Sequence, residues 1–238
     1  MAAESQTTQT YEALKSELLD GQFQPGSKLK IDQIRERCNA SPGAVREALS
    51  RLTSDGLVVS LPQRGFIVAP ISSEDLVDLT AVRIEIETNC LRSAIEHGDL
   101  AWEGRIQAAW HQLKHTPLLS EDGQTFNRDW TEAHGLFHDT LIDACTSKWW
   151  LKLREQMFIQ AERYRRILVS LAKRRHRDVD SEHEGIVTAT LARDANLACE
   201  RLEAHLQRTM DHLLDAATPL FAHEEIHLPG PPKSLQFR

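Results

Sequence analysis

The 238-residue chain carries 28 Lys and Arg against 35 Asp and Glu, a net charge of −7, and is 41% hydrophobic, enough to build two modest packed domains. No stretch approaches the length of a membrane span, and the polar opening from Met1 to Thr10 does not read as a signal peptide, so a cytoplasmic protein with no membrane partner is expected. Cys38, Cys90, Cys145 and Cys199 are too scattered for a zinc ribbon or a disulfide framework and are expected as small buried apolar residues.

Residues 1–9 are expected to be disordered. From about Thr10, the spacing of Tyr11, Leu14, Leu18 and Leu19 predicts an amphipathic helix stopped by Asp20-Gly21, with a turn at Gln24-Pro25-Gly26-Ser27. Ile31, Ile34 and Cys38 mark a short second helix, whose Arg35 and Arg37 are placed to touch a nucleic-acid backbone. Ser41-Pro42 is a strong start for a third helix, because a serine oxygen can accept from the first-turn amides and proline suits the first helical position. Val45, Ala48, Leu49 and Leu52 give that helix one apolar face, leaving Arg46, Glu47, Ser50 and Arg51 off it. Asp55-Gly56 ends it, and residues 57–60 and 65–69 form two β-prone runs joined through Leu61-Pro62-Gln63-Arg64.

Three helices followed by a basic-tipped hairpin read as a winged helix-turn-helix over residues 1–70. In that arrangement one helix enters the major groove and the wing reaches a neighbouring groove or the phosphates. Ser41, Arg46, Glu47 and Arg51 on the reading helix, Arg35 before it, and Arg64 with Gly65 at the wing are the candidate contacts with a double-stranded DNA operator. The acidic total does not exclude this. Residues 1–70 hold eight basic and eight acidic residues, so the excess negative charge lies downstream. A neutral domain with its cations gathered on one face predicts salt-sensitive binding that gains from a second copy, hence a homodimer.

Pro70-Ile71-Ser72-Ser73 is a short hinge, and residues 71–218 are expected to be an all-α antiparallel bundle, making the protein mainly α. Six helices are predicted, over 73–97, 99–115, 122–145, 148–174, 178–192 and 194–215, with an extended tail over 219–238. His134 and His138 stand one turn apart on the third of these, beside the stripe Phe126, Trp130 and Phe137. His183 lies beside Ile186 and Val187, and His205 between Leu202 and Leu206. Four inward imidazoles are costly to bury unless their nitrogens are satisfied, which a divalent transition metal would do. Hydrogen-bonded core histidines are the alternative for any one of them alone.

The run Ser41-Pro42-Gly43-Ala44-Val45-Arg46-Glu47-Ala48-Leu49, with Leu52, Asp55-Gly56-Leu57-Val58 and Arg64-Gly65, closely resembles the N-terminal domain of GntR-family regulators. Pro42 and Asp32 stand where relatives often carry base-contacting arginines, so the operator sequence does not transfer. His134-Gly-Leu-Phe-His138, Glu182-His183 and His205-Leu206, with Arg83 and Glu87, look like the all-helical ligand-binding domain of the FadR-like branch, called FCD. His134 departs from the aspartate common there.

That resemblance implies a metal, with zinc or nickel favoured, beneath a pocket for a small organic acid effector. Arg83, Tyr164 and Arg165 are its candidate anchors, although Arg83 reads equally as an i, i+4 partner of Glu87 and residues 163–166 as a solvated basic face. The expected function is a ligand-responsive transcriptional regulator, a repressor released from a palindromic operator by a carboxylate, and not an enzyme. A regulator that senses the metal itself is the alternative. A metal-dependent hydrolase fits less well, because Gly135 follows His134 where an H-E-x-x-H helix needs a glutamate.

Overall fold

Ser5 accepts a hydrogen bond from the amide of Thr8 and starts α1 (Gln6–Leu19) in the computed structural model, which describes residues 5–120, 127–169 and 177–221. The helix begins four residues before the expected point, so residues 6–9 are helical rather than disordered. The Gln6 side chain explains the order: its amide donates to Asn39 O at 3.2 Å and its carbonyl accepts from Ser41 N at 3.1 Å. Next come β1 (Lys28–Leu29), α2 (Ile31–Cys38), α3 (Pro42–Ser54), β2 (Val58–Leu61) and β3 (Gly65–Val68).

Ser41 caps α3, its hydroxyl accepting from Ala44 N at 3.2 Å. Gly56, at φ +74°, lets the chain turn out of α3 into the wing, a backbone shape that a side chain would strain. The two expected wing strands pair antiparallel, with Leu61 opposite Gly65, and β1 adds a third strand that has no sequence pattern of its own, placing Leu29 opposite Phe66. Leu14, Leu18, Ile34, Val45, Leu49, Leu52 and Leu57 fill the core beneath.

The second unit contains α4 (Ser73–His97), α5 (Leu100–Lys114), α6 (Arg128–Ile142), α7 (Lys148–Val169), α8 (Val179–Leu191) and α9 (Ala195–Phe221). α6 starts at Arg128 behind an Asn127 cap, whose side chain accepts from Asp129 N, not at 122; residues 122–126, including Phe126, lie outside the described residues, as do 170–176. α9 runs six residues past the expected end at 215, through Pro219, because a proline so near a helix C-terminus interrupts little of the hydrogen-bond ladder that remains. The tail from residue 222 is also outside the described residues.

Chain neighbours α5 and α6 pack together, as do α8 and α9, while α4 is central and packs on both α7 and α9. Trp102 is the largest fully buried side chain; its indole N–H donates to Thr140 O at 2.9 Å, tying α5 to α6. It packs so closely on the α4–α5 turn that a Cβ at Gly98 would collide with the indole.

The two units meet along α7. Arg163 donates to the carbonyls of Ala69 and Pro70, and the Tyr164 hydroxyl accepts from Ser72 N at 3.1 Å and donates to Asp75 at 2.6 Å. Arg166 pairs with Asp20 at the end of α1 at 2.8 Å, and Gln160 donates to Asp55 O at the end of α3 at 2.5 Å. The hinge is therefore gripped by side chains from the middle of the second unit.

Trp102→Ala removes a whole buried ring and its hydrogen bond, and is expected to destabilise the helical unit by about 3–5 kcal/mol in denaturant unfolding. A loss below about 1 kcal/mol would show that α5 and α6 are not tied through this side chain.

Candidate metal centre and nucleic-acid interface

α6 contributes two histidines to one point in the bundle, and α8 and α9 one each. His134, His138, His183 and His205 each offer a ring nitrogen, and those four atoms lie within 4.8 Å of one another. All are buried, His183 completely. The ring centroids of His134 and His138 are 4.5 Å apart and those of His183 and His205 4.6 Å. Four nitrogens around one transition-metal ion sit roughly 3–4 Å apart, so small side-chain movements close the set.

The surroundings favour neutral rings. Burial, followed by the neighbouring imidazoles and arginines, pushes His134, His138 and His183 well below the ordinary histidine range, and burial lowers His205 despite a carboxylate partner. Neutral imidazole is the form that binds metal. His134 Nδ1 and both nitrogens of His183 are buried without a hydrogen-bond partner, an expensive condition for core polar groups that an ion would relieve at one nitrogen of each ring. The residues present therefore fit a divalent transition ion better than they fit a packed core.

A second layer orients two of the rings. His205 Nδ1 lies 2.9 Å from Glu182, which directs Nε2 inward. Burial alone would raise the Glu182 carboxyl, but hydrogen bonds from Arg177 and His205 hold it at about 2. Trp130 stacks on His134 with ring centroids 4.6 Å apart, and Phe137 wedges against both His138 and His183.

Arg83 and Arg165 reach this centre. Arg83 pairs with Glu87 at 2.7 Å, so the i, i+4 reading holds as geometry, and both groups are buried within electrostatic range of the histidines. Arg165 pairs with Glu162 at 2.5 Å and lies over Trp130, 5.1 Å from its centroid. Tyr164 is elsewhere. Its hydroxyl is committed to Ser72 and Asp75 at the hinge, because consecutive residues of a helix point about 100° apart. The run at 163–166 is not a solvated face either, since Arg163, Tyr164 and Arg165 are all buried.

Sequence reasoning missed Arg154, Phe158 and Glu162. With Arg165 they recur at four, four and three residues along α7 and form the face turned to the histidines; the spacing puts them on one side of the helix, but their charges do not mark that side as interior. Arg154 is buried, bonded to Asp139 and stacked 4.2 Å from the Phe158 centroid, with Nε and Nη2 lacking partners. The carboxylates beside the ligands do not form a general base: Asp139 is held by Arg154, and Glu184 pairs with Lys114 at the surface.

On the first unit, Arg35, Arg46, Glu47 and Arg64 are exposed, and Gly65, at φ +89°, has nothing within 4 Å of where a Cβ would stand. Arg51 is exposed but lies over Tyr11, 4.0 Å from the ring centroid, while Arg37 pairs with Glu17. Ser41 serves as the cap of α3.

Comparisons with known proteins agree with this two-part architecture. Residues 6–68 match bacterial regulatory proteins of the gntR family, and residues 78–208 match the FCD domain. The chain is 37% identical over 205 residues to the HTH-type transcriptional regulator BphR of Paraburkholderia xenovorans, covering 84% of this chain and 82% of that one. It is 32% identical to the HTH-type transcriptional repressor GlaR of Escherichia coli, covering 82% and 90%. Among solved structures, E. coli McbR/YncC shares the fold with a TM-score of 0.73 at 20% identity, over 89% of this chain and 98% of its own. A GntR regulator from Rhodococcus sp. RHA1 gives 0.71 at 24%, over 90% and 99%. With FCD matching more than half of the sequence after a GntR domain, the chain belongs to the GntR family of transcriptional regulators, its DNA-binding domain followed by an FCD ligand-binding domain.

Proposed function

We propose that this regulator is a repressor that binds a palindromic operator as a homodimer and is released when a small carboxylate enters a metal-containing site between α4, α6, α7, α8 and α9. The observation that carries the reading is the set of four buried histidines with orphaned ring nitrogens, faced by Arg83 and Arg165. The similarity to the repressor GlaR supports the sign of regulation. His134, His138, His183 and His205 would hold the ion, zinc or nickel by the softness of imidazole. When bound, that ion supplies a Lewis-acidic seat for a carboxylate oxygen.

The chain's own residues do the rest. Glu182 fixes the His205 ring, Trp130 stacks on His134, and Phe137 and Phe158 pack against His183 and His138. α7 carries the signal. One face presents Arg154, Glu162 and Arg165 to the site, and the other grips the hinge through Arg163 and Tyr164 and α1 through Arg166. An effector that draws Arg165 off Glu162 alters the hold of the same carboxylate on Arg166, 3.5 Å away. A differential affinity of about 1–3 kcal/mol between the two arrangements suffices for a useful change in operator occupancy.

A second reading, in which the metal is itself the signal, is favoured by the origin of the ligands on three helices, since closing four nitrogens on an ion tightens α6, α8 and α9 together. The two readings separate cleanly. Metal removal alone changes operator affinity if the ion is the signal, and leaves it unchanged if the carboxylate is.

Purified protein is expected to hold about one transition-metal ion per chain by elemental mass spectrometry, and a His138→Ala, His183→Ala double variant to hold none. Equal metal content in the two would sink the four-histidine site. The metal-free protein should also be acid-sensitive in a defined window. The folded imidazoles stay neutral where unfolded ones gain protons, so stability is full above pH 6.5 and falls below it by up to about 1.4 kcal/mol per pH unit per histidine. The depressed carboxylates Glu87, Glu162 and Glu182 add their loss only below 4.5. A flat thermal-melting profile between pH 6.5 and 5 would contradict buried neutral histidines. On the DNA side, Arg46→Ala should lose at least about tenfold in operator affinity in a gel-shift titration, with the melting of the helical unit unchanged. Undiminished specificity would move the reading surface elsewhere.

A further inference from the structure

Gln6 is the first residue of α1 and is exposed, yet both ends of its side-chain amide are used. The nitrogen donates to Asn39 O at 3.2 Å, and the oxygen accepts from Ser41 N at 3.1 Å. One planar group thus holds a backbone carbonyl and the backbone amide two residues further on, with Ala40 bracketed between them.

Those three residues are the turn from α2 into α3. Asn39 ends α2 in the left-handed region at φ 47°, and Ser41 caps α3. Ala40 is buried, but Asn39 and Ser41 are exposed, so the core anchors the middle of the turn and Gln6 restrains its two outer residues. The far end of α3 is held separately, where the Tyr11 hydroxyl donates to Asp55 at 2.6 Å. α1 therefore grips α3 at both ends. Releasing the Gln6 bonds frees only the end that leads to Arg46 and Glu47. Base-edge hydrogen bonds need close geometry, whereas attraction to phosphates falls off slowly with distance. A looser turn should cost sequence discrimination more than it costs affinity for DNA in general.

We propose that Gln6 is a specificity-determining positioning residue: without touching DNA, it sets the angle at which the exposed face of α3 meets the base edges. This rests on α3 as the reading helix and adds a residue outside the helix-turn-helix that governs its aim.

The test titrates the full chain, across a range of salt, against a duplex that it selects from a randomised pool and against a shuffled duplex of the same composition. Gln6→Ala suits α1, because alanine is the better helix former. It is expected to lower the ratio of selected to shuffled affinity about three- to tenfold, the range for one or two hydrogen bonds, with salt slope and melting temperature unchanged. Gln9→Ala, at an exposed glutamine further along the same helix, should leave the ratio as it is. A ratio unchanged in Gln6→Ala overturns the inference. An equal fall in both affinities does so too, since it would make Gln6 a phosphate contact or a stability residue. Arg46→Ala, measured alongside, keeps the two readings apart: a lost ratio there with none lost in Gln6→Ala removes only the role of Gln6, and no loss in either variant removes α3 as the reading helix as well.

Discussion

Everything in the helical unit answers to the cost of placing four imidazoles where water cannot reach them. An unsatisfied buried polar nitrogen costs on the order of 1–3 kcal/mol, and three such nitrogens here have no protein partner. Glu182 and Arg177 relieve His205 and aromatic rings enclose the others, while the nitrogens of His134 and His183 that remain have no hydrogen-bond partner among the described residues. The bundle supplies the surrounding rigidity. Trp102 joins α5 to α6, and the central α4 spans from the hinge to the histidine cluster, so the histidines are presented by helices that cannot easily spread apart.

α7 connects the histidine cluster to the first unit. Its inward residues share a helix, and in Glu162 a common carboxylate, with residues that hold the first unit. Glu162 is bonded by Arg165 on the cavity side and approached by Arg166, which reaches Asp20 in α1. The helix that faces the histidines also touches the ends of α1 and α3 and the hinge. A rigid helix with contacts on two faces converts a small rotation into a change at both.

The parts of this protein that announce themselves in sequence do so through local rules. Ser41 and Gly56 bracket α3 because caps and left-handed turns are short-range chemistry, and His134 and His138 show their common face through spacing alone. The two-residue strand β1 has no pattern to read; it exists because β3 has an open edge opposite Lys28 and Leu29. Arg154 and Glu162 were hidden for another reason. Charges on a helix ordinarily mark its wet face, and only the packing of α7 against α4 and α9, with the bond from Arg154 to Asp139 of α6, makes that face an interior. Tyr164 was misjudged by adjacency to Arg165, although one step along a helix turns a side chain away from its neighbour's surroundings.

The clasp of Arg163 on the carbonyls of Ala69 and Pro70 also bears on how such proteins can be recombined. A cut between the two domains looks harmless on a sequence map, since few residues separate Val68 from Ser73. Yet the wing's exit strand, the cap of α4 and the middle of α7 form one joint, with its parts drawn from regions nearly a hundred residues apart. Grafting this effector domain onto a foreign reading head is thus less like changing the last bead on a string than like fitting a socket. Residues 69–75 and the outward side of α7 have to travel together, and the partner must bring its own counterparts of Asp20 and Asp55 to receive them.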